Sequence, residues 1–142
     1  MQIVKHLLSA KGHQIFSVAP TDSVLRAIEL MATRHVGALL VMHQGSLLGV
    51  ISERDYARKV ILMDRSSRDT PVSDIMTAPA VTVTPEDTVH HCMQLMTERR
   101  FRHLPVVESG RVVGMLSIGD LVKAVMDEQS AHIEELERYI AG

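Results

Sequence analysis

The sequence predicts an α/β (α+β) fold of two βαββα repeats packed with pseudo-twofold symmetry, with small mixed three-stranded sheets and additional terminal helices. Three observations support this prediction. The chain of 142 residues aligns with itself without a gap from Ile15 to Val60 when Pro20 is placed on Pro85. Short apolar runs alternate with helical apolar patterns in both halves. With 46% hydrophobic residues, the chain can bury one sizeable core or two small cores packed together.

The internal repeat preserves the residue types that helix starts and turns require, so chance does not explain it. A Pro-x-Asp sequence begins each copy, glycines recur in the predicted turns, and a Ser-x-x-Asp sequence follows the last strand of each copy. The matched pairs are Pro20 with Pro85, Asp22 with Asp87, Gly45 with Gly110, Gly49 with Gly114, Ser52 with Ser117, and Asp55 with Asp120.

The repeat divides the chain into segments, and a unit of about 50 residues is too small to be stable by itself, so we expect the two units to share a core. The predicted segments are repeat 1 at 4–63 (core 15–61), a polar linker at 64–71, repeat 2 at 72–129 (core 80–126) and a C-terminal helix at 130–142.

Each repeat begins with a strand and an amphipathic helix. The β-branched run 15–18, matched by 81–83, predicts the strand. Asp or Thr side chains in the clusters 21–23 and 86–88 can cap the helix that follows. Its buried stripe is predicted from apolar residues at helical spacing: Val24, Ala27, Ile28 and Met31 in one repeat, and Val89, Cys92, Met93 and Met96 in the other.

A hairpin and a second helix complete each repeat. Two apolar runs flank Gly45 or Gly110, which predicts the hairpin, and a right-handed crossover places the first strand parallel beside it. The second helix begins near Ser52 or Ser117. The residues we expect it to bury are Tyr56, Ala57, Val60 and Ile61, and Leu121, Val122, Val125 and Met126.

The segment 130–140 is predicted to be a short amphipathic helix. Ile133, Leu136 and Ile140 form its apolar stripe, and Glu134 can pair with Arg138. The helix either folds back on its own repeats or docks onto a partner subunit, and we favour a contact in a homodimer.

Composition and motifs exclude several function classes. A net charge of −2 argues against bulk binding to nucleic acid, and no apolar run approaches the roughly 18 residues of a membrane span. The single cysteine, Cys92, cannot form an internal disulfide, so we expect a reducing, cytoplasmic location. His90 and His91 diverge by about 100° on a helix and predict no metal site. Phosphate-loop, dinucleotide-binding and nucleophile-elbow motifs are absent, so we predict no catalytic residue and no enzyme.

The two Ser-x-x-Asp sequences within this repeat resemble the cystathionine-β-synthase (CBS) domain. They read Ser52-Glu53-Arg54-Asp55 and Ser117-Ile118-Gly119-Asp120. The resemblance covers the chain from Val4 to Met126. The tandem arrangement is similar to the pair of CBS domains, called a Bateman module, of stand-alone bacterial and plant-organelle proteins. The resemblance implies that AMP, ADP, ATP, NAD or S-adenosylmethionine binds in clefts between the repeats, that the module forms a homodimer, and that it regulates an unknown partner protein.

The resemblance also implies which residues form the clefts. Asp55 and Asp120 would hold the ribose, while Ser52 and Ser117, at helix starts, suit a phosphate or ribose oxygen; the alternative is that both serines are only helix caps. One cleft would combine Gly37 and Ala38 with Ser117 and Asp120. The other would combine Arg102 and His103 with Ser52 and Asp55. The remaining predicted ligand-binding residues are Val36, Phe101, Phe16, Ser17, Val81 and Thr82.

Because Gly37 and Ala38 stand where the second repeat has a basic pair, we expect the two clefts to bind unequally. The leading hypothesis is a regulatory module that senses AMP, ADP, ATP or NAD without a catalytic cofactor or a metal. The alternatives are a ligand-free dimeric interaction scaffold and an enzyme acting on nucleotides.

Overall fold

The computed structural model describes residues 2–141. Two repeats follow an N-terminal helix. The elements are α1 (Val4–Lys11), β1 (Ser17–Val18), α2 (Val24–Arg34), β2 (Ala38–His43), β3 (Ser46–Ser52), α3 (Glu53–Tyr56), a π-helix (Ala57–Ile61), a 3-10 turn (Val72–Asp74), α4 (Val89–Arg99), β4 (His103–Glu108), β5 (Arg111–Ser117) and α5 (Ile118–Ala141).

The first repeat contains the predicted mixed sheet in the order β1-β2-β3. β1 runs parallel to β2, with Ser17 opposite Leu40, and β2 pairs antiparallel with β3. The hairpin turn places Gln44 and Gly45 at positive φ (50° and 81°), the conformation for which glycine is favoured. The strand and hairpin predictions for this repeat are therefore confirmed, although β1 is shorter than 15–18.

The second sheet has only two strands, β4 and β5, where three were predicted. The segment 81–83 contributes one parallel bridge, between Val83 and Val106. In the first repeat the amide of Leu40 donates to Phe16 O at 3.0 Å. The residue matching Leu40 is Pro105, which has no amide hydrogen, so the equivalent bond cannot form and the ladder is shortened.

Side-chain hydrogen bonds explain the Pro-x-Asp sequences and the helix starts. Ser23 Oγ accepts from Arg26 N at 3.1 Å, and Thr88 Oγ1 accepts from His91 N at 3.0 Å. These two contacts satisfy amides that the first helical turn leaves free, so the predicted cap is confirmed at Thr88, while in the first repeat Ser23 provides the cap and Asp22 does not. Asp22 and Asp87 instead accept from Ala19 N and Thr84 N, in the turns that precede the helices.

The segments that precede the first strand of each repeat, residues 4–11 and 72–77, are called the lead-ins here. Each lead-in packs against the other repeat. Val4, Leu7 and Leu8 of α1 belong to the core of the second repeat, and Val4 N donates to Asp87 O at 2.8 Å. Conversely, Val72 and Ile75 belong to the core of the first repeat. Each packed half of the structure therefore combines the strands and helices of one repeat with the lead-in of the other, and this exchange joins the two halves.

The second helices differ from their predicted stripes. Val60 and Leu121 are buried as expected and Tyr56 and Val125 are partly buried, but Ala57, Ile61, Val122 and Met126 are exposed. After Tyr56 the helix widens, with Leu62 N donating to Ala57 O, so the period of 3.6 residues no longer holds. The helix α5 touches the core through only one narrow face, which contains Leu121 and Ala124.

The segment 130–140 is not a separate short helix. It is the second half of α5, which continues for 24 residues without a break. Arg138 Nε donates to the backbone oxygen of Glu134 at 3.4 Å instead of pairing with its carboxylate. Within 2–141, no helix is both long and apolar enough to span a membrane.

Candidate functional site

A cleft of about 570 Å³ lies between the two repeats. Its walls come from the end of β3, α3, the end of α4 and the beginning of β4. Eight of the fourteen predicted ligand-binding residues line it. They are Gly37, Ser52, Asp55, Val81, Phe101, Arg102, His103 and Ser117.

Six predicted residues do not line this cleft. Ala38 is buried, with only 6% of its surface accessible. Phe16 packs beneath Arg34, whose guanidinium lies 5.1 Å from the ring centroid. Asp120 lies in another cavity, described below. The other three are Val36, Ser17 and Thr82.

Ser52 and Asp55 form a reciprocal cap at the beginning of α3. Ser52 Oγ accepts from Asp55 N at 3.1 Å, while Asp55 Oδ2 accepts from Ser52 N at 2.9 Å and from Ser52 Oγ at 3.0 Å. Lys59 Nζ lies 3.1 Å from Asp55 Oδ1. The capping alternative is thus realised at this serine, and it holds the carboxylate in a fixed orientation at the cleft wall.

Positive charge dominates this cleft, although the chain is slightly acidic. Arg54, Arg58 and Lys59 reach it from the first repeat, and Arg99, Arg100 and Arg102 reach it from the second. Within the described chain, only Lys59 of these six makes an ion pair with a carboxylate. Glu53 and Asp55 are the acidic residues of the lining. Five guanidinium groups therefore converge without an acidic partner.

These arginines repel one another. The charge of Arg58 is the main reason that the pKa of Arg54 lies below its ordinary value, and desolvation and Arg102 act in the same direction. Of the five, only Arg102 was predicted from the sequence. The missed signals are the spacing of Arg54 and Arg58, one helical turn apart, and the Arg99-Arg100 pair at the end of α4.

His103 and Gly37 meet at the centre, where the first strand of each hairpin begins. A Cβ atom at Gly37 would lie 3.5 Å from His103 Cε1 and 3.3 Å from Glu53 Oε1. The side chains of His103 and Glu53 therefore occupy the space beside Gly37. Burial, followed by the charge of Lys11, lowers the pKa of His103, so the imidazole is neutral at pH 7.

The second Ser-x-x-Asp sequence faces a different environment. Lys11, at the end of α1, donates from Nζ to Asp120 Oδ2 at 2.5 Å and to Met115 O at 2.6 Å. Burial alone would raise the pKa of Asp120, but the hydrogen bonds from Lys11 and Ser117 hold it below its usual value. Asp120 lines a cavity of about 320 Å³ between α1 and α5 and does not share the main cleft with Gly37.

The residues His90, His91 and Cys92 lie away from the cleft. Cys92 is buried, and this burial is the main reason that its pKa is raised to about 11. His90 and His91 are exposed on α4. Across residues 2–141, no three His, Cys, Asp or Glu side chains converge as metal ligands would.

Comparison with known proteins identifies the family. The CBS domain profile matches residues 5–62 and 72–127. The CBS domain-containing protein CBSX3, mitochondrial, from Arabidopsis thaliana is 47% identical over 126 residues. That match covers 85% of this chain and 61% of the relative, so the chain spans about three fifths of the plant protein's length.

Solved structures show the same architecture. A putative signal-transduction protein with CBS domains from Burkholderia ambifaria superimposes with a TM-score of 0.87 at 47% identity, covering 90% of this chain and 96% of that one. The CBS domain pair of protein MJ0100, solved with 5-methylthioadenosine and S-adenosyl-L-methionine, has a TM-score of 0.78 at 22% identity, covering 90% and 98%. The chain belongs to the CBS domain family and contains two such domains in tandem.

Proposed function

We propose that this CBS pair is a cytoplasmic regulatory module that binds an adenosine nucleotide in the cleft formed by Ser52, Asp55 and Arg102. The observation that supports this proposal most strongly is the set of five arginines without acidic partners around one cleft. Guanidinium groups bind phosphate oxygens through paired hydrogen bonds, and a bound anion would relieve their mutual repulsion. The volume of about 570 Å³ lies within the usual range for small-molecule sites.

Asp55 is the proposed ribose acceptor. Its side chain is only 13% exposed, and the cap with Ser52 holds it in place. A sugar hydroxyl can donate to Oδ1, the oxygen that now faces Lys59. Val81 and Phe101, which also line the cleft, supply apolar surface for the base. The MJ0100 domain pair, which binds two adenosine compounds, is consistent with this chemistry on the same fold.

The charge balance favours a nucleotide with more than one phosphate. Six cationic side chains and two carboxylates line the cleft, an excess of about four positive charges, so AMP, whose phosphate carries about two negative charges, would leave about half of this excess uncompensated. We therefore propose ATP or ADP ahead of AMP and NAD, because the two phosphates of NAD together carry no more negative charge than the phosphate of AMP. Such a ligand would contact Arg54 and Arg58 of one repeat and Arg100 and Arg102 of the other.

Bridging two repeats is a means of regulation. A nucleotide that binds one arrangement of the repeats more tightly shifts the protein toward that arrangement. A partner protein that distinguishes the arrangements would then respond to nucleotide concentration. Relatives bear names such as signal-transduction protein, and we propose that nucleotides are bound without being turned over.

Titration calorimetry at about 0.1 M salt with adenosine, AMP, ADP, ATP and NAD tests the proposal. We expect ATP to bind, and Asp55→Asn or Arg102→Gln to weaken it by about tenfold or more, which corresponds to about 1.4 kcal/mol. Asp69→Asn, an exposed carboxylate outside the cleft, is the matched control. ATP recovered intact after incubation would agree with a binding role.

The proposal is wrong if no nucleotide binds, or if Asp55→Asn and Arg102→Gln leave every dissociation constant unchanged. The remaining candidate is then a ligand-free dimeric scaffold. The observation that favours this second candidate is the long exposed apolar face of α5. Unfolding curves measured without ligand must accompany each variant, because Asp55 also caps a helix.

A further inference from the structure

His103 stands at the junction of the two repeats. It is the first residue of β4 and lies opposite Ser117 in the ladder with β5, and both residues line the main cleft. Its ring reaches the first repeat, because a Cβ atom at Gly37 would lie 3.6 Å from His103 Nε2. The same point lies 3.3 Å from Glu53 Oε1. The imidazole therefore borders the cleft and lies beside a carboxylate of the other repeat.

The ring of His103 can gain or lose a proton without breaking a contact. In the described chain the histidine ring that bonds to the protein is that of His13, whose Nδ1 lies 2.9 Å from Val113 O. The side-chain atom that residues 2–141 bury without a partner is Gln2 Oε1. The ring nitrogens of His103 are therefore neither paired with protein nor sealed from the cleft, and a bound ligand can affect their protonation.

Charged groups on the surrounding elements influence this proton. Burial is the main reason that the pKa of His103 lies below its ordinary value, and the charge of Lys11 in α1 comes next. Arg102, the preceding residue, also disfavours the imidazolium, whereas Asp120 of α5 favours it. Glu53 of α3 lies beside the ring and favours it too, because an opposite charge stabilises the protonated form. With two cations and two carboxylates around the ring, an additional negative charge in the cleft changes the balance.

We propose that His103 takes up a proton from solvent when a nucleotide binds in the main cleft, so that the cleft responds to nucleotide and pH together. This inference rests on the proposed function, because the phosphates supply the negative charge that favours the imidazolium. The protonated ring adds an N–H donor next to Arg102, whose guanidinium suits phosphate oxygens. Its charge also attracts Glu53, so proton uptake strengthens the contact between the two repeats.

The sign of the pH dependence follows from this coupling. Bound phosphate raises the pKa of His103, so the complex holds a proton at a pH where the free protein does not. Binding is therefore tighter at acidic pH, and the gain is lost as pH rises through the pKa of the complex. Relative to His103→Gln, we expect the affinity of the unaltered protein for ATP to rise about threefold or more from about pH 8 to about pH 5.5.

Calorimetry in two buffers that differ in ionisation enthalpy counts the protons taken up. At about pH 6, ATP binding should take up at least ~0.3 protons more in the unaltered protein than in His103→Gln, which shows only the protonation changes of the nucleotide and the other residues. His90→Gln, an exposed histidine outside the cleft, is the matched control and should resemble the unaltered protein. Equal uptake with and without His103 would overturn the coupling alone. Absence of ATP binding at every pH would overturn the nucleotide proposal and this inference with it.

Nuclear magnetic resonance tests the same proton without a variant of His103. The Cε1–H signal of His103, assigned through the backbone, should titrate at a lower pH than those of exposed histidines and move to higher pH when ATP is added. Lys11→Met removes a repelling charge and leaves Asp120 without its partner, so both effects raise the pKa of His103. Its signal should then titrate at higher pH, while Lys5→Met, an exposed residue of the same helix, should leave it in place. A midpoint that ATP does not move, in a protein that binds ATP, would refute the proposal.

Discussion

Two glycines related by the internal repeat should respond differently to the same substitution. Gly49 in β3 and Gly114 in β5 each face a lead-in segment from the opposite repeat. A Cβ atom at Gly49 would lie 2.5 Å from the backbone oxygen of Thr77. At Gly114 it would lie 2.6 Å from Cδ2 of Leu8, the end of a side chain that can rotate. Gly49→Ala must therefore move backbone, whereas Gly114→Ala need not.

The structure gives the expected magnitudes. Thr77 exchanges two hydrogen bonds with Val50, at 2.9 and 3.0 Å. Losing them costs about 1 kcal/mol each, and overpacking adds about 1–3 kcal/mol. Alanine offsets this loss by about 0.4–1 kcal/mol, because it reduces the conformational freedom of the unfolded chain. We expect Gly49→Ala to lower the free energy of unfolding by about 2–4 kcal/mol, and Gly114→Ala by about 0–1 kcal/mol.

Urea unfolding followed by circular dichroism measures both values. A third variant identifies the contact: Leu8→Ala removes the atoms that Gly114→Ala approaches, so the two changes together should cost less than their sum. Equal losses for the two alanine variants, or simple additivity with Leu8→Ala, would show that the lead-ins do not pack as described.

Three further predictions concern charge and burial. In Arg58→Gln and Arg100→Gln, binding of ATP should weaken several-fold while binding of adenosine is unchanged. Raising the salt concentration should weaken ATP binding to the unaltered protein more than to either variant. Calorimetry that finds both ligands equally affected argues against phosphate contacts. Because the pKa of Asp120 is lowered in the folded state, its pair with Lys11 contributes stability that is present above the unfolded pKa of about 3.9 and is lost as pH falls through the folded pKa. The stability deficit of Lys11→Met should thus be largest near pH 7 and begin to shrink below about pH 6.5, because the charge of Lys11 also disfavours protonated His103. It should shrink further below about pH 4, with Lys5→Met as the control that shows no deficit. Finally, burial and a pKa of about 11 should keep Cys92 unreactive toward thiol reagents near pH 8 until urea unfolds the chain, and rapid labelling of the native protein would contradict its place in the core.

The sequence predicted features that depend on local chemistry. The helix starts at 21–23 and 86–88 and the glycine turns of both hairpins follow from short patterns. Their causes act over a few residues, which a single sequence displays in full. The parallel pairing of β1 follows from the right-handed crossover rule. Because the two halves align, each element predicted in one half was also predicted at the matching position of the other.

Features that depend on partners distant in sequence were missed. The alignment of the repeats places Pro105 at the position of Leu40. The resulting loss of strand pairing in the second repeat could be predicted only by knowing that the amide of Leu40 donates a hydrogen bond to the neighbouring strand. The cluster of arginines arises because the end of α4 meets α3, so residues about 45 positions apart share one cleft. The net charge of the whole chain concealed this local excess.

The structure brings together one predicted group of cleft residues and divides the other. Ser52 and Asp55 line the same cleft as Arg102 and His103. Of the second group, Gly37 and Ser117 also line this cleft, whereas Ala38 is buried and Asp120 pairs with Lys11 in another cavity. Lys11 precedes the aligned region, so comparison of the repeats could not reveal it.

The exchanged lead-ins have a consequence for biosynthesis. When only the first half of the chain has been synthesised, the core of the first repeat still lacks Val72 and Ile75. The core against which α1 packs does not yet exist. The core of the first repeat can therefore close only after residues 72–76 have been made, and α1 can pack only after the second half has been made. Chain cleavage between 64 and 71 should leave two fragments that each lack part of their core and recover their native form only when mixed.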